Sequence, residues 1–205
     1  PAPELPVRLH HYAEHVAKVI DAQPEPVILV GHSGGGITVT AAAELRPERV
    51  ALAVYLCAFM LPAGMSNVDF YAKYMKPEMR GAVARKTLSP DGHFSFVDVE
   101  SAIDVFYNRT DPAVARAAAQ RLTQSPEGPR YDPMPSTPER GGRVPRVYVE
   151  TLEDRSVHLE LQRIMQTLVP VREVVSLDAD HAPQISMPER LAEVFDRLAR
   201  GATAA

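Results

Sequence analysis

An α/β fold built on a mostly parallel sheet is predicted by three features of this sequence. Short apolar runs rich in β-branched residues recur at 27–30, 50–57, 144–150 and 171–177. Helix-compatible stretches lie between and after them. A glycine-rich turn, Gly31-His-Ser-Gly-Gly-Gly, joins the first apolar run directly to the helical stretch that follows. Strands that alternate with helices require crossover connections, and crossovers make neighbouring strands parallel.

The elements follow in order. Leu9, Tyr12, Val16, Val19 and Ile20 recur at helical spacing while His10, Glu14 and Lys18 fall elsewhere, so residues 8–22 form an amphipathic helix, with Leu9, Tyr12, Val16 and Ile20 marking its buried face. Pro24 and Pro26 end it. Residues 27–30 are a strand, 31–36 a tight turn, and the next ten a helix that stops before Pro47. The run VALAVYLC at 50–57 is a second strand. From about Phe59 to Gly142 the rhythm breaks: weaker helices at 66–75, 100–107 and 112–123 stand among many prolines and glycines, and 126–142 is an irregular return. A structureless loop of that length is rare inside a compact domain. Residues 59–142 are therefore expected to form a helical cap inserted into a core made of 1–58 and 143–205. Strands at 144–150 and 171–177, with helices near 157–168 and 188–200, complete that core.

Composition narrows the functional classes. With 205 residues, 45% hydrophobic and 23% charged, the chain is an ordinary globular domain rather than a disordered or fibrous one. A formal charge of −4, well mixed along the chain, gives no footprint for nucleic acid or an anionic membrane, which leaves small weakly polar ligands. No apolar run reaches the roughly 18 residues of a membrane helix, and the first residues carry no secretory pattern. Cys57 is the single cysteine, so no internal disulfide can form; this agrees with a reducing, cytoplasmic setting.

The chemistry concentrates in Gly31-His32-Ser33-Gly34-Gly35, a G-x-S-x-G sequence set between a strand and a helix. A sharp strand-to-helix turn strains the backbone at Ser33 and pushes its hydroxyl outward, while flanking glycines let strand and helix approach. The helix N-terminus behind it has unpaired N–H groups, so Gly34 N–H is the expected oxyanion donor. A phosphate loop fits poorly, because Ser33 interrupts G-x-G-x-x-G and no P-loop lysine follows. Serine needs a base and an orienting acid. His181 follows the strand at 171–177 and Asp154 follows the strand before it, so both are expected at carboxyl strand ends, where ligand crevices form. Asp178 and Asp180 are rivals in sequence, but stand so close to His181 that they are expected to hold its loop by turn hydrogen bonds.

The segments GHSGGG, VYLCAFMLPAG, VYVETLEDRSVHLELQRIM and LDADHAPQISMPERL, in that order, resemble the hydroxynitrile lyase and plant methylesterase branch of the α/β-hydrolase superfamily. The resemblance runs from about Tyr12 to Leu198. It implies Ser33 as nucleophile, Asp154 as acid and His181 as base, a helical cap over an apolar pocket for a small-molecule ester, and no metal or organic cofactor. Lyases of this branch carry a lysine after the histidine, where this chain has Ala182, so ester hydrolysis is favoured over a triad-based lyase. The branch also has strands and an oxyanion loop ahead of the helix at 8–22 that are not in this sequence, so the expectation is a fragment, a chain whose open edge a partner covers, or a degenerate remnant. The strand at 27–30 should then be an exposed apolar edge, an aggregation liability that makes a homodimer a natural expectation. A truncated, non-catalytic binding domain is the third functional reading.

His11-Tyr-Ala-Glu14-His15 spells H-x-x-E-H, yet both histidines fall on the wet face of the first helix, which argues against a metal site. Cys57 ends an apolar strand with no basic neighbour and is expected to be buried and inert. His93 belongs to the cap, His158 to a surface helix contact, and His32 is expected to point away from the turn. His32, Phe59, Met60, Met65, Phe70 and Tyr74 are candidate substrate-pocket residues, with Tyr71 and Met75 beside them; apolar residues at this spacing also suit plain cap core.

Overall fold

The computed structural model describes residues 5–77, 79 and 84–203. Along the chain, α1 (Leu9–Asp21), β1 (Val27–His32), α2 (Gly35–Leu45) and β2 (Val50–Leu56) come first. The middle segment holds α3 (Asn67–Tyr74), β3 (Lys86–Leu88), β4 (Phe94–Val97), α4 (Val99–Phe106), α5 (Pro112–Ala119) and the two-residue β5 (Ser125–Pro126). Then come β6 (Arg146–Thr151), α6 (Leu159–Leu168), β7 (Glu173–Leu177), α7 (Pro183–Ser186) and α8 (Pro188–Thr203).

β1, β2, β6 and β7 form one sheet in that order, every neighbouring pair parallel. Its two faces explain why β2 reads as an unbroken apolar run. Ala53 and Tyr55 point into a core shared with α1, α2 and α6, while Leu52, Val54 and Leu56 point into a second core against Leu191, Val194 and Leu198 of α8. A strand covered on both sides has no position for a polar residue. At the sheet's other end β1 pairs only with β2 among the described residues, and Val30 is 41% exposed, as the edge reading expected.

The helix α1 forms where the periodicity puts it, but with a rotated buried face. Leu9, Ala13, Ala17 and Ile20 are buried, whereas Tyr12 and Val19 are 37% and 52% exposed. Small side chains let α1 approach the alanine-rich α2, and a hydrophobic scale that favours size over fit misassigns the stripe. Its first turn is pinned by Asp132, which accepts Leu9 N–H at 2.7 Å and pairs with Arg8; an acid at a helix N-terminus complements the helix dipole.

The segment expected to be a helical cap also contains strands. The helices appear as α3, α4 and α5, but β3, β4 and β5 form a small antiparallel sheet that the helical reading missed. The β3–β4 hairpin turns through Ser89-Pro-Asp-Gly-His93, with Asp91 Oδ1 accepting His93 N–H at 3.0 Å and Gly92 at φ +72°. Strands of four residues or fewer carry too little alternation to be legible, although Pro-Asp-Gly is a turn signal. Phe59, Met60, Phe70 and Met134 join the main core. α4 and α5 instead share a small core of Ala102, Tyr107, Ala115 and Ala119 with Ala182, next to His181. No described helix is long and apolar enough to cross a membrane.

Candidate active site

Ser33 stands between β1 and α2 at φ +54°, a left-handed conformation that costs a non-glycine residue roughly 1–3 kcal/mol and persists only when its surroundings enforce it. Those surroundings are backbone hydrogen bonds. Ser33 N–H donates to Leu56 O at 3.2 Å, and Ser33 O accepts from Gly36 N–H at 3.2 Å and Phe59 N–H at 3.0 Å. The flanking glycines divide their work unequally. A Cβ on Gly31 would lie 2.6 Å from Val39 Cγ2, and one on Gly36 would overlap the Phe59 carbonyl, so these two permit the close approach of strand, helix and loop. A Cβ on Gly34 or Gly35 would meet nothing within 4 Å among the described residues, and no steric need explains these two. Gly34 is the N-cap of α2, where N–H groups lack intrahelical acceptors.

The structure brings the three residues of the expected triad together. His181 Nε2 lies 2.9 Å from Ser33 Oγ, and His181 Nδ1 lies 2.8 Å from Asp154 Oδ2. Asp154 and His181 are 5% and 3% exposed, which shields their contact from water. Asp154 stands in the turn after β6 and is a well-satisfied acceptor. Its Oδ1 takes Ser156 N–H at 2.7 Å and Val157 N–H at 2.8 Å, and its Oδ2 takes the Thr151 hydroxyl at 3.1 Å. Gln162 of α6, fully buried, closes this turn from behind. The sequence reading missed Gln162; the available signal was a polar residue on the apolar stripe of α6, between Leu161 and Met165.

His181 sits on a loop held in two directions. Asp180, fully buried, accepts Ala182 N–H and the Ser186 hydroxyl through Oδ1, at 3.1 and 2.8 Å, which is the turn-holding role expected of it. Its Oδ2 goes further and accepts Arg109 N–H and the Thr110 hydroxyl, at 3.1 and 2.9 Å, from the α4–α5 turn. Asp178 pairs with Arg109 at 3.1 Å, and Phe106 lays its ring 5.4 Å from the imidazole of His181. The middle segment therefore grips the loop of His181 directly.

His32 corrects one expectation: it turns toward the site. Its Nε2 lies 2.6 Å from His181 O, where only a protonated ring nitrogen can donate, and the two imidazoles are 4.8 Å apart. Burial, reinforced by the neighbouring His181, pushes the His32 imidazole down to about 4, so it stays neutral near pH 7. The Cys57 thiol donates to the same carbonyl at 3.4 Å, and burial holds it well above the ordinary thiol range, in line with an inert cysteine. His32, Cys57 and His181 offer ligand atoms within 4.8 Å of one another, but hydrogen bonds already occupy each of them.

The remaining candidates scatter. Phe59, Met60 and Phe70 lie buried in the main core, and Met65, Tyr71, Tyr74 and Met75 pack half-buried against it. Tyr71 stacks edge-on with Phe59, ring centres 5.4 Å apart, and burial pushes its phenol up to about 12. His11, Glu14 and His15 are exposed on α1, as the wet-face reading expected. His158 stands at the N-cap position of α6 without a side-chain capping bond, and its buried Nε2 has no hydrogen-bond partner among the described residues. His93 pairs with Asp91 in the β3–β4 hairpin.

The sequence model of the alpha/beta hydrolase family matches residues 1–194. "Putative methylesterase 11, chloroplastic" of Arabidopsis thaliana is 29% identical over 94% of this chain and 51% of its own length. A pyrethroid hydrolase of Sphingobium wenxiniae is 31% identical over 92% of this chain and 69% of its own. The crystal structure of a pyrethroid hydrolase from Sphingobium faniae superimposes with a TM-score of 0.84 at 29% identity, covering 97% of this chain and 80% of that one. The chain spans about half the length of the first plant methylesterases it matches, 51% and 45%. With the strand–Ser33–helix turn, the parallel sheet and these matches in agreement, the chain belongs to the alpha/beta hydrolase family, in its plant-methylesterase-like branch.

Proposed function

We propose that this chain carries the nucleophile, acid and base of a serine hydrolase for small carboxylic esters. The observation that carries the proposal is the continuous hydrogen-bonded line from Ser33 Oγ through His181 to Asp154, at 2.9 and 2.8 Å. His181 Nε2 accepts the Ser33 proton as Oγ attacks the ester carbonyl. Asp154 keeps the second imidazole proton on Nδ1 and balances the imidazolium that forms. Gly34 N–H, at the positive end of α2, donates to the oxyanion. His181 then returns the proton to the leaving alcohol, and an acyl group remains on Ser33. Water, deprotonated by His181, attacks that acyl group and releases the carboxylic acid. The relatives named as methylesterases and a pyrethroid hydrolase support an ester as the substrate class.

The test is hydrolysis of a panel of short-chain aryl and methyl esters, with acid and alcohol products measured in equal amounts. Ser33→Ala and His181→Ala are each expected to lower kcat by at least ~10³-fold with little change in the melting transition. Turnover that survives both substitutions contradicts the proposal.

A further inference from the structure

We propose that Gln162 is a positioning residue for the triad acid, standing in for a missing strand at the end of β6. The inference rests on the triad reading above. It starts from a break in the sheet. β2 and β6 pair in register up to Leu56 and Val149, so β6 runs beyond the end of β2. On its other side β6 stays paired with β7 up to Thr151 and Leu177. Leu152 N–H continues that side by donating to Leu177 O at 2.9 Å. In a strand, successive residues direct their N–H and C=O to opposite neighbours. Thr151 therefore directs both of its backbone groups toward the side where β2 has stopped.

The Gln162 amide meets both. Thr151 N–H donates to Gln162 Oε1 at 3.1 Å, and Gln162 Nε2 donates to Thr151 O at 3.1 Å. One side-chain amide thus copies the pair of hydrogen bonds that a neighbouring strand would have made. The same Nε2 donates to Val157 O at 2.7 Å, bridging the two ends of the turn that carries Asp154. Thr151 Oγ1 and Asp154 Oδ2 also lie near it, at 3.5 and 3.4 Å. A primary amide has two N–H donors, so the two short carbonyl bonds use them and the carboxylate contact adds attraction only.

The consequence concerns Asp154. Three residues past the end of β6, its carboxylate must hold one orientation 2.8 Å from His181 Nδ1. Its three neutral donors, Ser156 N–H, Val157 N–H and the Thr151 hydroxyl, all belong to residues that Gln162 ties or that adjoin them. Remove the amide and three buried backbone groups, Thr151 N–H, Thr151 O and Val157 O, lose this partner, and the turn loses the strut between 151 and 157. A displacement of about 1 Å in a catalytic constellation is enough to cost ~10²-fold in rate. Gln162 touches neither Ser33 nor the imidazole, so its effect passes through Asp154.

The experiment compares Gln162→Met, which keeps the volume and removes the amide, and Gln162→Glu, which keeps an acceptor for Thr151 N–H but sets a carboxylate against the carbonyls and Asp154. Gln166→Met is the control. It removes another amide from the same helix, one that serves Glu150 at 3.0 Å. Ester turnover is read well below each melting temperature, alongside the downfield proton resonance of the His181 Nδ1–H···Asp154 bond, which needs no substrate. The expectation for both Gln162 variants is kcat lowered ~10–100-fold with KM within about twofold. Their downfield resonance should be broadened or lost, and Gln166→Met should match the parent in both. Folded Gln162→Met with parental kcat and an intact resonance overturns the proposal. Loss of kcat with an unmoved resonance also overturns it, since Asp154 would then not be the intermediary. If the parent shows the resonance but hydrolyses no ester, the hydrolase reading fails, while the resonance still decides the role of Gln162.

Discussion

Among single residues, His32 gives stability a pH dependence of definite sign. Its imidazole is neutral in the folded chain down to about 4, whereas an unfolded chain restores the ordinary value near 6.5. Between those values the unfolded state binds a proton that the folded state refuses, so stability rises with pH across pH 4–6.5 and is fully present above it. The full contribution is up to ~3 kcal/mol at neutral pH. Urea unfolding midpoints should fall as the pH drops from 6.5 to 4, and His32→Gln should flatten that slope. A parental slope in His32→Gln contradicts the assignment. His32 also shows where single-residue reading stops. Sequence placed it beside Ser33 but could not place the His181 carbonyl opposite its ring, because 149 residues separate the partners.

At the scale of elements, the elbow between β1 and α2 makes a prediction that separates its glycines. Gly36→Ala should cost about 1–3 kcal/mol, since the new Cβ has to displace the Phe59 carbonyl, itself fixed by the Phe59 N–H bond to Ser33 O. Gly35→Ala, with nothing within 4 Å, should be neutral or gain up to ~0.5 kcal/mol from helix propensity. Thermal unfolding of the two variants checks this, and equal destabilisation would contradict the division of labour. The elements of the core were legible because each is long enough to show its period: β2, buried on both faces, is continuous, and α6 and α8 alternate clearly. The short strands β3, β4 and β5 were not, because their order comes from a hairpin turn and a neighbouring strand rather than from their own pattern. The same limit hid the true face of α1, set by how closely α2 can approach through Ala13 and Ala17.

For the whole molecule, the middle segment matters more than a cover. Part of it completes the main core through Phe59, Phe70 and Met134, and the α4–α5 turn holds the loop of His181 through Asp180. Ser33, Asp154 and His181 were legible in the sequence because each follows a strand and a parallel sheet gathers its carboxyl strand ends in one place. The parts that hold them, Gln162, Asp180 with Thr110, and the His32 and Cys57 donors on the His181 carbonyl, were not legible as a set. They are contacts between distant segments, and they exist only once the sheet has formed. On the proposed mechanism this assembly makes Ser33 a nucleophile. Mass spectrometry of the chain after exposure to a fluorophosphonate probe checks this. One adduct, mapped to Ser33 and absent from His181→Ala, is the predicted result; an unmodified Ser33 in the folded chain, or an equal adduct in His181→Ala, would contradict it.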